Sequence, residues 1–278
     1  MKRGRGRKKS VVPGFGLTMG FSLLYISLLV VIPLSMLALR AAQMSWAEFW
    51  KTFTDPRTLA AYKLSVGGAL IAGAVNAVFG LIVAWVLVRY RFPGRRLLDT
   101  LVDLPFALPT AVAGIALTAV YAPTGLIGKW FDSMSIQTAY SPIGVILAMI
   151  FVSLPFVIRT VQPVLQDIDR EIEEAAATLG ATRLQTFARV IFPAVMPALL
   201  AGFAMAFARA VGEYGSIVFI SGNMPGKTEI VPLLIMTRLE EFNYVGATAV
   251  ALVLLILSFF MLLVINLLQV WARRGSTA

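Results

Sequence analysis

The sequence predicts an all-α polytopic membrane protein of six transmembrane helices, and three observations carry that reading. First, hydrophobic residues make up 59% and charged residues only 14% of the 278, whereas a soluble domain averages about 25% charged. Second, the stretches Leu17–Leu39, Leu64–Val88, Leu104–Tyr121, Ser141–Ile158 and Phe242–Val270 carry no charge, and Ala194–Ile220 carries only Arg209 and Glu213. A spanning helix needs about 20 apolar residues, so all six stretches are long enough. Third, the basic residues are unevenly placed. With the N-terminus in the cytoplasm, segments 1–16, 89–100, 159–193 and 271–278 hold 6, 4, 4 and 2 Lys or Arg. The opposite segments 40–63, 122–140 and 221–241 hold 4, 1 and 2. That excess satisfies the positive-inside rule and places both termini in the cytoplasm. The net charge of +10 then reports topology and lipid contact rather than nucleic-acid binding.

Taken in chain order, residues 1–63 comprise a basic N-terminus, the first span and an outer loop. The cluster Lys2, Arg3, Arg5, Arg7, Lys8 and Lys9 reads as an anchor to anionic headgroups. The first span is too long for a signal-peptide core and lacks a small-residue cleavage site, so it is expected to be retained. Residues 64–270 form the core of five further spans, and 271–278 are a cytoplasmic tail. In the second span Gly73, Asn76 and Gly80 share a small face, and in the third Thr110, Gly114 and Thr118 do the same. Small residues allow close helix packing in a membrane. The same residues could line a hydrated path with hydroxyl and backbone donors. Pro105, Pro109, Pro155 and Pro163 supply expected helix kinks.

The segment 159–193 between the fourth and fifth spans is expected to be ordered. Ile168, Ile172, Ala175, Ala176 and Leu179 recur at helical spacing. Asp167, Asp169, Glu171, Glu173 and Glu174 load the N-terminal part, where the helix dipole favours anions. Gly180 suits a left-handed stop. Thr182 and Gln185 have the spacing of a capping box, so a second helix starts at once. Pro193 fits near the first turn of the next span. Interfacial membrane helices are usually Lys/Arg-rich. This one is acidic and carries consecutive alanines, which suits insertion into a protein groove.

Arg209 and Glu213 each cost about 2.5–3.5 kcal/mol at a membrane helix centre, so they need a partner or a purpose. At i and i+4 they can pair. One reading is a structural ion pair, and the other is an anion-attracting field along a path. Gly222, Asn223, Pro225 and Gly226 are turn formers. With Lys227 and Thr228 they loosely resemble a phosphate-binding loop, but one residue is missing between the glycines and no strand precedes them. The chain has no Cys and no His, which excludes thiol catalysis, disulfides, His-based metal sites and a Ser-His dyad. No catalytic site and no metal site are therefore expected.

Glu174-Ala175-Ala176, then Gly180, then nine residues to Val190, Phe192 and Pro193, resembles the EAA loop of permease subunits of bacterial ABC importers. Val190 and Phe192 stand where that family pattern has Ile and Leu. Residues 103–114, 159–165 and 207–215 resemble the oxyanion branch of the family. Residues 220–230 are most similar to its T-type sulfate/thiosulfate permeases. The resemblance implies a type I importer permease fold, with Glu174, Ala175, Ala176 and Gly180 coupling the loop to an ATP-hydrolysing subunit. It also implies a dimer of ATP-binding subunits, a second related permease and a periplasmic sulfate/thiosulfate-binding protein as partners. ATP and Mg would be held by the partner subunits, with no cofactor on this chain. Transport would proceed by alternating access. Arg209, Glu213, Thr110 and Asn76 are the candidate path residues. A molybdate/tungstate permease is the neighbouring alternative. An ATP-independent gated anion channel would leave the loop unexplained.

Overall fold

The computed structural model describes residues 15–275, which are helical with no strand among them. The expected basic cluster at Lys2–Lys9 lies outside the described residues. Helix α1 runs over Phe15–Ala41 and contains a π segment, Ser27–Val31. Then come α2 (Trp46–Thr54), α3 (Pro56–Arg89), α4 (Arg95–Val102), α5 (Leu104–Ala107) and α6 (Thr110–Tyr121). They are followed by α7 (Gly128–Ser133), α8 (Pro142–Asp167) and α9 (Arg170–Thr178). Helix α10 spans Arg183–Val211, with a second π segment at Phe187–Ile191. The chain closes with α11 (Ile217–Ile220), α12 (Val231–Glu240) and α13 (Tyr244–Gly275).

Five helices are long and apolar enough to cross a membrane: α1, α3, α8, α10 and α13. The third expected span is different. It breaks at Leu108 and Pro109 into α5 and α6, and α6 is a shorter apolar helix of 12 residues. Proline explains the break. Pro109 donates no backbone hydrogen bond and disfavours helical geometry in Leu108, whose ψ is 134°. Pro105 starts α5 rather than kinking it, whereas Pro155 and Pro163 do lie inside α8. The expected span Ala194–Ile220 is also interrupted, because α10 stops at Val211 and resumes only as α11. The fourth span runs on to Asp167, and the fifth begins at Arg183, so the connection between them shortens to 168–182.

Helices α3, α8 and α10 form the centre. Their contacts use small residues: the α-carbons of Gly73 and Gly202 face Phe203 and Val157 so closely that an added methyl group would lie 2.9 Å from each. In lipid there is little hydrophobic drive between helices, so this close van der Waals packing is what holds them. Phe207, Met149, Val145 and Ile220 fill one layer of the core, and Leu87, Ile158 and Leu165 fill another. By contrast, no residue of Phe15–Ile26 is buried.

The end of the bundle opposite α9 is tied by charge. Arg57 donates to both carboxylate oxygens of Glu229, each at 2.7 Å, and Glu229 is buried. Arg238 donates to Thr58 at 2.8 Å, and the Tyr62 hydroxyl donates to the Val250 carbonyl at 2.9 Å. These bonds clip α12 and α13 to α3. At the same end, Ser45 and Glu48 close a capping box on α2, and these hydrogen bonds hold the Glu48 carboxyl below its ordinary pKa. The segment Gly222–Gly226 is a turn in which Gly222, Asn223 and Gly226 have positive φ.

Gly114 of α6 lies directly against the backbone of Ser216. A β-carbon there would sit 2.4 Å from the Ser216 carbonyl oxygen and 2.7 Å from its Cα. Backbone cannot yield as a flexible side chain can, so Gly114→Ala is expected to cost about 1–3 kcal/mol through overpacking. Gly67→Ala, with nothing within 4 Å, should leave stability unchanged or slightly raised. Thermal unfolding of the two variants in detergent micelles checks the contrast.

Candidate functional site: the loop-end elbow and the paired helix breaks

The elbow is built by local sequence. Helix α9 ends at Thr178, and Gly180 takes φ +85°. The Ala181 N–H then donates to the Ala176 carbonyl and the Gly180 N–H to that of Ala177, both at 3.0 Å. This is the glycine-stopped helix end anticipated from the sequence, in which the last carbonyls gain partners. Nothing lies within 4 Å of a β-carbon at Gly180. The demand for glycine there comes from backbone conformation alone. One residue later, the Thr182 N–H donates to Gln185 Oε1 at 2.8 Å, and the Gln185 N–H donates to Thr182 Oγ1 at 3.3 Å. The capping box is thus present and starts α10 at once.

The elbow presents apolar groups outward. Leu179 is 88% exposed and Leu184 75%, with Ile172 also exposed. Glu174, Ala175 and Gly180 lie on this outer surface and Ala176 is half-buried beside them. Large exposed apolar side chains on a tight helical hairpin, flanked by acids, suit burial in the groove of another protein.

Glu174 is exposed, while its neighbour Glu173 is half-buried and lies 2.6 Å from Arg89 Nη2 at the end of α3. The Arg89 guanidinium also donates to the Ile168 carbonyl at 3.2 Å and lies 5.7 Å from the centre of the Trp85 ring. Trp85 meets Phe187 edge-on, with centroids 5.6 Å apart. A second cluster, also missed from sequence, binds α4 to α8. Arg159 donates from Nε and Nη2 to both oxygens of Asp103, from Nη1 to Asp99 and Gln162, and from Nη2 to the Asp99 carbonyl. All five guanidinium donors are engaged, which a lysine could not reproduce. The signal for both clusters was charge placed just beyond the apolar stretches, but nothing in one sequence said which acid met which base.

Deeper in the bundle the two helix breaks meet. Gly215 lies against Thr110 at the start of α6, and Gly114 one turn later lies against Ser216. Glu213, 1% exposed, organises the junction. Its Oε1 accepts hydrogen bonds from the Ser216 N–H and Oγ–H, both at 2.8 Å. Its other oxygen pairs with Arg209 Nη1. The expected i, i+4 pair therefore forms. Asn76 sits elsewhere, fully buried between α3 and α8, donating to the Ile150 carbonyl at 3.0 Å and to Ser153 Oγ at 2.8 Å. Its Oδ1 has no hydrogen-bond partner. The four candidate path residues are thus split: Arg209, Glu213 and Thr110 gather at the break junction, and Asn76 clamps two helices.

A bundle of membrane helices with two mid-bundle breaks and an outward apolar elbow is the architecture this chain shares with the membrane transport components it resembles. The chain belongs to the family described as binding-protein-dependent transport system inner membrane component, which matches residues 76–275. It is 51% identical over 261 residues to the sulfate transport system permease protein CysT of Escherichia coli K12, covering 94% of each chain. It is 50% identical over 253 residues to the protein of the same name from Synechocystis, covering 91% of this chain and 88% of the other. Among solved structures, a bacterial alginate ABC transporter in complex with its periplasmic protein aligns with a TM-score of 0.73 at 16% identity. That alignment covers 91% of this chain and 92% of the other. The MetNI methionine ABC transporter, in inward-facing conformations, aligns with a TM-score of 0.57 at 18% identity, covering 84% of this chain and 99% of the other. These structural likenesses carry the fold.

Removing Arg209 leaves the buried Glu213 carboxylate short of its counter-charge. Arg209→Met is expected to cost on the order of 3 kcal/mol, the lower end for breaking a buried pair, because Arg209 is partly exposed. Arg209→Met/Glu213→Gln should recover much of that loss. The yield of monodisperse protein after heating, compared across the three forms, checks it. Arg159→Lys should likewise lower the melting point, because two carboxylates and two neutral acceptors would then compete for three ammonium donors.

Proposed function

We propose that this chain is one permease half of an ATP-driven importer for sulfate or thiosulfate, working by alternating access. The elbow carries the reading: a glycine-stopped helical hairpin that offers Leu179 and Leu184 outward beside Glu174, Ala175, Ala176 and Gly180. Such a projection needs a receptor groove, and a nucleotide-binding partner is the receptor that gives it purpose. In this reading ATP and Mg belong to a pair of partner ATPases, and the elbow faces the cytoplasm. The same reading puts both termini in the cytoplasm, from the distribution of basic residues. A related permease completes the path, and a periplasmic binding protein delivers the anion to the far end.

The substrate class rests on similarity to proteins named as sulfate permeases over nearly the whole chain. Arg209 near the break junction adds a cation deep in the bundle, although Glu213 neutralises it in the conformation described. Each access change would re-pack the two breaks against each other while the long helices α3, α8 and α10 move as rods. This chain supplies shape and coupling, and the bond-breaking chemistry takes place on its partners.

Uptake of labelled sulfate in cells lacking this chain tests the proposal. Wild type should restore uptake, and a modest excess of molybdate should leave it intact. Gly180→Arg should abolish it while the protein still reaches the membrane. A left-handed backbone costs a side-chain-bearing residue about 1–2 kcal/mol, and the added side chain would stand on the docking surface. Full rescue by Gly180→Arg would overturn the coupling role, and inhibition by modest molybdate would move the substrate to that anion.

A further inference from the structure

The coupling elbow touches the transport bundle through very few polar links. Among the described residues, every hydrogen bond or ion pair from α9 to a spanning helix ends on one residue, Arg89 of α3. Glu173 lies 2.6 Å from its Nη2, and Arg170 Nη2 donates to its carbonyl at 3.5 Å. Arg89 in turn holds the Ile168 carbonyl, just before α9. Its side chain is 10% exposed and is seated over Trp85. It also lies in the last turn of α3, where the helix dipole favours a cation. A cleft of about 500 Å³ lined by Trp85, Arg89, Glu173, Glu174, Arg183 and Phe187 opens beside the pair. So α9 is not packed flat against α3.

We propose that the Arg89–Glu173 pair is the strut by which movement of the elbow is delivered to the second span, α3, in addition to the covalent route from the elbow into α10. The inference rests on the coupling function proposed above. Two features fit a strut better than a passive surface pair. The bridge is largely shielded, so the attraction is screened less than at an open surface. It also leaves a donor spare. Glu173 Oε1 lies 2.6 Å from Arg89 Nη2, while Arg89 Nε is buried without a hydrogen bond. A guanidinium with a spare donor can keep hold of the carboxylate as α9 shifts. Helix α3 packs along both α8 and α10, so a push at Arg89 reaches the whole centre of the bundle. Arg89 and Glu173 are positioning residues in this scheme and touch neither nucleotide nor anion.

The test uses the complete importer in proteoliposomes, with binding protein, partner permease and ATPases. Sulfate import per ATP hydrolysed is measured for wild type, Glu173→Gln, Arg89→Gln and the exchange Arg89→Glu/Glu173→Arg. Each single variant is expected to keep ATP hydrolysis within about twofold of wild type while import falls about tenfold, and the exchange should recover at least a third of it. Such a split separates lost transmission from lost assembly, which would lower both rates together. Normal import by the single variants, or an assembled exchange variant no better than the singles, overturns the strut. The absence of native cysteine allows a second measurement that does not depend on turnover. Spin labels at Ile82→Cys on α3 and Thr178→Cys on α9 should hold a fixed separation on ATP binding in wild type, and a nucleotide-dependent one with Glu173→Gln. Equal behaviour in both also overturns it. If wild type imports sulfate without ATP, the coupling function itself fails, and that result is distinct from failure of the strut.

Discussion

A backbone interrupted inside a membrane must find its hydrogen bonds within the protein, because lipid offers none. This chain breaks two of its membrane helices, at Leu108–Pro109 and at Gly212–Ser216, and much else follows from how the breaks are sheltered. Each is placed against the other. Gly114 and Gly215 remove the side chains that would hold the segments apart. Glu213 lends its carboxylate to the Ser216 N–H, which the end of α10 leaves without a helical partner. Arg209 supplies the counter-charge to Glu213. A charge that looks costly in the sequence thus accompanies a backbone requirement.

The loop end obeys a different economy. It lies beyond the apolar stretches, and its order comes from short-range signals: a Gly at the left-handed stop, a Thr and a Gln closing the cap, and acids in the first turn of α9. These need no tertiary context, so the elbow can keep its shape while it moves as a unit. What tertiary context adds is attachment, through Arg89 and through the saturated guanidinium of Arg159. Both arginines sit where a spanning helix passes out of its apolar surroundings. There a guanidinium can hold several acceptors at once without being buried deep in hydrocarbon.

The elements differ in how far the sequence disclosed them. The elbow was fully legible, because caps and a left-handed glycine act between residues a few positions apart. The long helices α1, α3, α8 and α13 were legible from hydropathy, though their ends ran past the apolar stretches. Arg89 and Asp167 belong to helices whose apolar windows stop earlier. The breaks were not legible as breaks. Hydropathy reads 104–121 and 194–220 as continuous, since a buried interruption lined by Thr110 and Ser216 is almost as apolar as a helix. Pro109 marked the first, but prolines within α8 show that such a residue can equally be absorbed. The pairings of Arg159 with Asp99 and Asp103, and of Arg89 with Glu173, join positions far apart in the chain, and one sequence holds no record of which partners meet. Asn76 was readable both as part of a close-packing face and as a path residue, and its bonds to Ile150 and Ser153 join two helices.

The π segment at Phe187–Ile191 lies two residues ahead of Pro193, much as Ser27–Val31 lies ahead of Pro33. A π turn accommodates one residue more than the α turn it replaces, and a residue subtends about 100° of helix. The elbow-proximal start of α10 and its membrane portion therefore run in different angular phase. The outward orientation of Leu184 and that of Gly202 toward α8 are set by separate registers that meet at this one turn. Lengthening or erasing it would change the angle at which the elbow leaves the bundle.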